Sequence, residues 1–196
     1  VLGGGGARGF AHLGVLRALE LAGIPVDWVG GNSVGALIGA QYVMGVSFET
    51  ILDQTTRFVS AGEMLTLPLV SVFRGNRFQR GLRRIFGDVS IESLPVPFFC
   101  VSSNLSEACL RVHETGPLWR AVAASNSPPG LLPPIPEEGR LLVDGAVLNN
   151  LPVDVMRERI GGGTLIAVDV NLRDDMKVSS SMDRLSGWDA LKAKFG

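Results

Sequence analysis

Two glycine-rich turns, each lying between an apolar strand and an apolar helix, constrain the fold of this 196-residue chain more than any other feature. The first turn covers residues 3–9 and reads GGGGARG, and the second covers residues 31–35 and reads GNSVG. Glycine allows sharp turns and close backbone approaches that a side chain would block. Strand, glycine turn and helix in succession are typical of an α/β domain, in which helices cover both faces of a mostly parallel sheet.

Apolar periodicity, together with proline and glycine breaks, predicts the other elements. Helices are predicted over residues 10–22, 34–44, 48–59, 77–86, 118–124 and 152–160, and strands over 26–29, 98–102, 108–113, 140–143 and 164–168. A last packed helix is expected where apolar residues recur at helical spacing from Leu185 to Phe195. No repeat divides the sequence, so we expect one domain over residues 1–196, truncated in its first strand and at its C-terminus.

The charge balance argues against nucleic acid as a partner. The chain has 18 Lys and Arg against 19 Asp and Glu, a net charge of −1, which gives no basic surface for nucleic acid and no support for charge-driven membrane binding. Hydrophobic residues make up 46% of the chain, which predicts a large core and an apolar surface able to meet lipid. Two cysteines cannot build a disulfide framework, so a reducing, cytoplasmic setting is expected.

The segment from residue 28 to residue 48 contains no charged residue and is long enough to be considered as a membrane span. However, five glycines and the polar residues Asn32, Ser33 and Gln41 interrupt it, and Asp27 and Glu49 flank it directly. We therefore predict a buried strand, a turn and a helix instead.

The first glycine motif leaves backbone N–H groups uncovered at the start of a helix, where they can bind an anion. That anion could be a phosphate, a pyrophosphate or the oxyanion of an acyl-transfer intermediate. Gly4, Gly6 and Gly9 also match a dinucleotide-binding fingerprint, but its acidic partner should end the next strand, whereas Asp27 opens it. A turn that only packs the helix onto the sheet remains a further alternative.

The second motif places Ser33 between glycines two residues to either side, at a predicted strand–helix junction. This is the setting of a nucleophile elbow, which holds a serine hydroxyl above the sheet beside the N–H groups of a helix start. The alternative is a serine that only caps the helix.

A serine nucleophile needs a base, and histidine is the usual one. His12 falls in a polar arc of the first helix and His113 ends a predicted strand, where structural roles are more typical. A Ser-Asp-His triad could combine Ser33 and His113 only with Asp53 or Asp88. Asp144 follows the apolar strand over residues 140–143, at the carboxyl edge where active sites of parallel sheets assemble, and could take the serine proton directly. Its alternative is a turn-forming aspartate before glycine.

Taken together, the three motifs resemble those of the patatin-like phospholipase family: a GGGxRG loop at Gly4–Gly9, GxSxG at Gly31–Gly35 and DGA at Asp144–Ala146. More narrowly, the chain is similar to the esterase domain of the neuropathy target esterase branch. Supporting stretches are GVL at 14–16, RVH at 111–113, LWR at 118–120, DGAVLNNLP at 144–152 and LSGW at 185–188.

The resemblance implies a three-layer α/β/α fold with a nucleophile elbow and hydrolysis of lysophospholipids or phospholipids by a Ser-Asp dyad, without cofactor or metal. Ser33 would be the nucleophile and Asp144 the base. The expected oxyanion loop contains Gly4, Gly5, Gly6 and Arg8. Arg8 is expected to fix the shape of the loop, with attraction of a lipid phosphate as the alternative. The glycines expected to supply backbone geometry are Gly9, Gly31, Gly35 and Gly145.

One departure from the family pattern concerns the substrate. The family usually has an apolar residue where this chain has Asn126, so the segment 126–129 is a candidate acyl-pocket wall, and the chain-length preference is open. The apolar segments 64–73 and 128–136 are expected either to form lids or lipid-facing loops on a peripheral membrane surface, or to be buried in the core. Alternatives to the phospholipase are a neutral-ester lipase, a catalytically silent lipid-binding module and, least favoured, a nucleotide-binding module.

Overall fold

A computed structural model describes residues 1–60 and 71–171. The predicted apolar segment 64–73 lies outside the described residues except for its last three, and the helix predicted near the C-terminus lies outside them entirely.

The six helices predicted within the described residues are confirmed, with boundaries that move by one residue at most. They are α1 (Phe10–Leu21), α2 (Val34–Val43), α3 (Phe48–Ser60), α4 (Asn76–Phe86), α5 (Leu118–Ser125) and α6 (Val153–Ile160). The strands are β1 (Val29–Gly31), β2 (Phe98–Asn104), β3 (Cys109–His113), β4 (Ile135–Glu137) and β5 (Arg140–Asp144). Strand β4 was not predicted, and the strand predicted over 26–29 begins at Val29 and runs to Gly31.

The described strands form one sheet in the order β1-β2-β5-β4, with β3 paired to β2 outside this path. Strands β1 and β2 are parallel, and Leu2 forms parallel bridges with Gly31 and Val168. Strand β2 is antiparallel to β3 and β5, and β4 is antiparallel to β5. The expectation of a mostly parallel sheet therefore holds for the half that carries the glycine motifs and is corrected for the other half. Of the strand predicted over 164–168, only the bridge at Val168 forms.

Three layers follow from the alternation of side chains along β2. Phe98 and Cys100 pack into a core formed with α2, α4 and α5, whereas Phe99 and Val101 pack with α6 on the opposite face. Both sheet faces are therefore covered by helices, as the sequence predicts. The uncharged segment 28–48 forms β1, the turn at Ser33 and α2, and none of the described helices combines the length and apolar character of a membrane span.

Candidate active site

The predicted nucleophile elbow is present between β1 and α2. Ser33 has φ 53° and ψ −127°, a conformation that is strained for a residue with a side chain. A Cβ on Gly31 would lie 2.8 Å from the backbone nitrogen of Ala36, and a Cβ on Gly35 would overlap the carbonyl group of Leu2. The two glycines are therefore required because α2 starts directly against the ends of neighbouring strands.

Hydrogen bonds from α5 hold this strained turn in place. The backbone N–H of Ser33 donates to Oγ of Ser125 at 2.9 Å, and Nδ2 of Asn126 donates to the carbonyl oxygen of Ser33 at 2.8 Å. Sequence reasoning missed Ser125 altogether and singled out Asn126 only as part of a pocket wall. Both residues lie at the C-terminal end of α5, and Ser125 is fully buried.

Asp144 reaches the level of the elbow on an antiparallel strand. It pairs with Ser102 of β2, two residues beyond Cys100, and Cys100 pairs with Gly31. The turn that carries Ser33 begins directly after Gly31, so the sheet register brings Asp144 close to the end of β1 from which this turn starts. The carboxyl-edge argument for Asp144 is therefore corrected: β5 runs opposite to β1, and register rather than a shared strand direction brings Asp144 there.

The side chain of Asp144 is buried, with 4% of the residue exposed, and is held by two donors on one oxygen. Its Oδ1 accepts hydrogen bonds from Nδ2 of Asn32 at 3.1 Å and from the backbone N–H of Ala146 at 2.9 Å. The Asp144 backbone N–H donates to the carbonyl oxygen of Ser127 at 2.9 Å. Gly145 is needed next to it, because a Cβ there would lie 2.8 Å from the carbonyl oxygen of Val101.

Asn32 is fully buried and joins the three motifs. Besides Asp144, its Nδ2 donates to Oδ1 of Asn150 at 3.0 Å, and its Oδ1 accepts from Oγ of Ser125 at 3.2 Å. Asn150 in turn donates from Nδ2 to the carbonyl oxygen of Gly4 at 3.0 Å. The glycine loop, the elbow and the aspartate are thus connected by side-chain amides. The available sequence signal was the presence of polar Asn32 and Asn150 inside otherwise apolar or glycine-rich motifs.

The glycine loop lies directly against Ser33. A Cβ on Gly4 would lie 3.1 Å from Cβ of Ser33 and 2.9 Å from Nδ2 of Asn32, and a Cβ on Gly9 would overlap Val34. The loop therefore approaches the elbow closely because it lacks side chains, as the sequence predicts.

Only part of this loop has free donors. The backbone N–H of Gly4 donates to the carbonyl oxygen of Asn150 at 3.1 Å, and that of Arg8 donates to Gly5 at 3.3 Å, so neither group is available to an oxyanion. Within the described residues, the N–H groups of Gly5 and Gly6 have no hydrogen-bond partner. The Arg8 side chain is exposed and forms no hydrogen bond or ion pair with the described residues, so only its backbone shapes the loop.

The histidines have structural contacts that do not include Ser33. The expectation that His12 lies in a polar arc at the surface is wrong, because His12 is fully buried. Its Nε2 is paired with the carbonyl oxygen of Gly3 at 2.8 Å, and burial lowers the pKa of His12. His113 bonds through Nε2 to Oγ of Ser102 at 2.8 Å, and burial lowers the pKa of His113 to about 4. Asp53 pairs with Arg57 on the exposed side of α3. The triad alternative is therefore not assembled.

A groove of about 440 Å³ lies on another part of the domain, between α1, the start of β1 and α6. Asp27 lines this groove, whereas Ser33 and Asp144 do not. The acid expected for a dinucleotide site is thus located before β1 rather than beside the glycine loop, which argues against the nucleotide alternative.

No cluster of His, Cys, Asp or Glu suited to a metal ion occurs in residues 1–60 and 71–171.

Comparison with known proteins gives a family match over most of the chain. The family model described as patatin-like phospholipase matches residues 1–157. Neuropathy target esterase sws of Drosophila melanogaster is 43% identical over 204 residues, covering 100% of this chain. Patatin-like phospholipase domain-containing protein 6 of Homo sapiens is 44% identical and lysophospholipase NTE1 of Mycosarcoma maydis is 43% identical, each over 96% of this chain.

The chain spans only 10–14% of the length of these relatives. Among solved structures, VipD from Legionella pneumophila superposes with a TM-score of 0.60 over 76% of this chain and 46% of that one, at 16% sequence identity, which supports the fold alone. The family match, the identity to curated relatives and the fold agree, and the chain belongs to the patatin-like phospholipase family.

Proposed function

We propose that this domain hydrolyses acyl esters of lysophospholipids or phospholipids, with Ser33 as nucleophile and Asp144 as base. The observation that carries the proposal is the hydrogen bond between Asn32 and Asp144, since Asn32 directly precedes Ser33 in the elbow. The names of the relatives, which include lysophospholipase and esterase, support the substrate class.

In the first half of the reaction, Asp144 accepts the hydroxyl proton while Oγ of Ser33 attacks the ester carbonyl carbon. The negative charge that develops on the carbonyl oxygen is held by the N–H groups of Gly5 and Gly6, at the positive end of the following helix. Collapse of the intermediate breaks the ester C–O bond. The proton held by Asp144 goes to the leaving alcohol, and an acyl-Ser33 ester remains.

In the second half, Asp144 takes a proton from water, and the hydroxide attacks the acyl-Ser33 carbonyl carbon. The same donors hold the second oxyanion. The Ser33 oxygen then leaves and recovers the proton from Asp144, so one ester and one water give one fatty acid and one alcohol. Asp144 is supported in this double role by two fixed donors on Oδ1, which keep the carboxylate in one orientation throughout.

The setting of the reaction is part of the proposal. Phospholipid substrates lie in membranes, so the domain works at a peripheral membrane surface. Cys100 and Cys109 are both free thiols, which supports a reducing, cytoplasmic compartment.

Labelling with a fluorophosphonate, followed by intact-mass measurement, tests the dyad without knowledge of the lipid. We expect one adduct on the wild-type chain, none on Ser33→Ala and a much slower adduct on Asp144→Asn. An adduct that persists in Ser33→Ala, or full-rate labelling of Asp144→Asn, would contradict the assignment. A folded wild-type chain that takes no label favours the catalytically silent module instead.

The substrate class is tested by comparing lysophosphatidylcholine with monoacylglycerol. We expect faster turnover of lysophosphatidylcholine. A clear preference for monoacylglycerol would assign the domain to neutral-ester lipases.

A further inference from the structure

Helix α4 presents a concentrated positive face. Arg77, Arg80, Arg83 and Arg84 are all exposed, and Arg74 lies exposed just before the helix. At 100° per residue, the four helical arginines fall within an arc of about 120°. The helix contains no acidic residue. A chain with a net charge of −1 thus carries a strongly basic local surface, which we call the α4 arginine face.

The opposite side of α4 explains why this face points outward. Leu82 and Phe86 are buried in the core shared with α5, and Phe78 and Ile85 pack against that core. Arg83 lies over the Trp119 ring, with its guanidinium carbon 4.1 Å from the ring centroid. Arg80 and Arg84 form no ion pair with the described residues. The charges of Arg80 and Arg84 are therefore not neutralised within the described part of the domain.

The arginine face adjoins a loop that starts at the catalytic elbow. Asn126, which bonds to the carbonyl oxygen of Ser33, is followed by residues 127–134. Backbone hydrogen bonds fix this loop to the segment before α4: the N–H of Val72 donates to Gly130 at 2.9 Å, and that of Phe73 donates to Leu131 at 3.0 Å. Arg74 follows immediately, so the base of the arginine face and the loop lie side by side.

Exposed aliphatic side chains lie on the two segments that leave the catalytic residues. Leu131 is 50% exposed on the loop after Asn126, and Val147 and Leu148 are each 51% exposed just after Asp144. The exposed Leu131 on this loop, with Arg74 and the arginine face beside it, matches a lipid surface, where aliphatic groups enter the interface and cations approach the phosphates. A nucleic-acid partner would account for the arginines but not for the exposed aliphatic side chains, and a lipid surface accounts for both beside a site proposed to act on lipid.

We propose that the α4 arginine face docks the domain onto the surface of an anionic phospholipid membrane, with Leu131 entering the interface. This inference rests on the proposed lipid-hydrolase function, because it is the substrate that places the catalytic elbow at a membrane. The negative charge of the membrane lipids then controls the access of the enzyme to its substrate, in addition to the ester group that is hydrolysed.

The test measures vesicle binding in a Ser33→Ala background, so that the lipids stay intact. Sedimentation with vesicles of phosphatidylcholine alone is compared with vesicles that also contain phosphatidylserine. We expect stronger binding to the anionic vesicles, weakening as salt is added. Replacing Arg80→Gln and Arg84→Gln together should lower the partition coefficient on anionic vesicles about 30-fold.

A matched control removes the same charge elsewhere. Arg17→Gln with Arg157→Gln alters two exposed arginines on α1 and α6, and it should bind anionic vesicles like the parent chain. Equal binding to both vesicle types, equal losses in both double variants, or arginine-dependent binding to an oligonucleotide without vesicle binding would each overturn the inference. Circular dichroism checks that the variants remain folded.

Hydrolysis of a soluble short-chain ester by the wild-type chain separates the two proposals. Ester hydrolysis without preference for anionic vesicles overturns the docking inference and leaves the proposed function intact. Arginine-dependent binding to anionic vesicles without any ester hydrolysis supports the docking face and contradicts the proposed function.

Discussion

Nδ2 of Asn32 donates a hydrogen bond to Oδ1 of Asp144 over 3.1 Å, so the residue next to the proposed nucleophile holds the proposed base. The two residues are 112 positions apart in the sequence and both are buried. A displacement of the elbow would therefore move the carboxylate with it. Under the proposed mechanism, this coupling makes Asn32 a positioning residue, and its effect on kcat can be measured separately from that of Ser33.

Replacing Asn32→Ala should lower kcat by about 10- to 100-fold, with a smaller effect on KM, because Oδ1 of Asp144 loses the hydrogen bond that Asn32 donates to it. The rate of fluorophosphonate labelling should fall in parallel. Unfolding in urea should show a loss of about 1–3 kcal/mol from the broken network. Asn76→Ala, at an exposed position on α4, serves as the control. Unchanged kcat in Asn32→Ala would show that Asp144 does not depend on this contact.

Ser33→Gly should be more stable than Ser33→Ala, although both lack the hydroxyl. The φ of 53° at this position strains any residue with a Cβ and is accessible to glycine. The expected difference in the free energy of unfolding is about 1 kcal/mol in favour of glycine, measured by urea denaturation. Equal stabilities, or a more stable alanine variant, would mean that the elbow is not strained.

Gly4→Ala should abolish most activity, because the added Cβ would press on Asn32 and Ser33 at 2.9 and 3.1 Å. We expect kcat/KM to fall at least about 100-fold. Gly14→Ala is the matched control: it lies on α1 with open space around the added Cβ, and should raise stability by about 1 kcal/mol while activity is kept. Wild-type turnover by Gly4→Ala would remove the glycine loop from the proposed site.

The domain should lose stability between about pH 6.5 and pH 4 because of His113. Burial lowers the pKa of His113 to about 4 in the folded chain, whereas the unfolded chain takes up the proton near the ordinary value of 6.5. The unfolded state therefore binds more protons in this window, so stability is greatest above pH 6.5 and falls as the pH is lowered.

The contribution of His113 amounts to about 3 kcal/mol over the full window. Urea denaturation at several pH values should show a shallower decline in His113→Gln, which lacks the titrating group. His12 is buried and has a pKa lowered in the same direction, so some decline should remain. An identical pH profile in wild type and His113→Gln would contradict the prediction. Activity of the variant near neutral pH is expected to persist, which also tests whether His113 is a catalytic base.

The parts of the fold that the sequence could predict are those with local causes. The helices have local apolar patterns, and most of them have a glycine or proline at a boundary, so their limits could be derived within one residue. The elbow at Ser33 and the close glycine loop could be predicted for the same reason, because glycines at fixed offsets encode a sharp turn and close packing.

The remaining parts depend on contacts between distant residues. The sequence of β5 predicts a buried strand, but nothing within residues 140–144 indicates that this strand runs antiparallel to β2. The bonds of Asn32 to Asp144 and Asn150 join residues more than a hundred positions apart. The net charge of −1 likewise gives no indication of the α4 arginine face, because acidic residues elsewhere in the chain balance these arginines in the total charge but do not lie on α4.

The hydrogen bond from the backbone of Asp144 to Ser127 joins the two ends of the loop formed by residues 128–143, next to the proposed catalytic centre. This loop contains the exposed Leu131 and the short strand β4, whereas Asp144 itself is also held by its pairing with Ser102 of β2. Evolution or engineering can therefore lengthen, shorten or exchange the outer part of the loop while the proposed base stays in place. Under the proposed function, the lipids admitted and the chemistry performed on them then depend on different parts of the same chain.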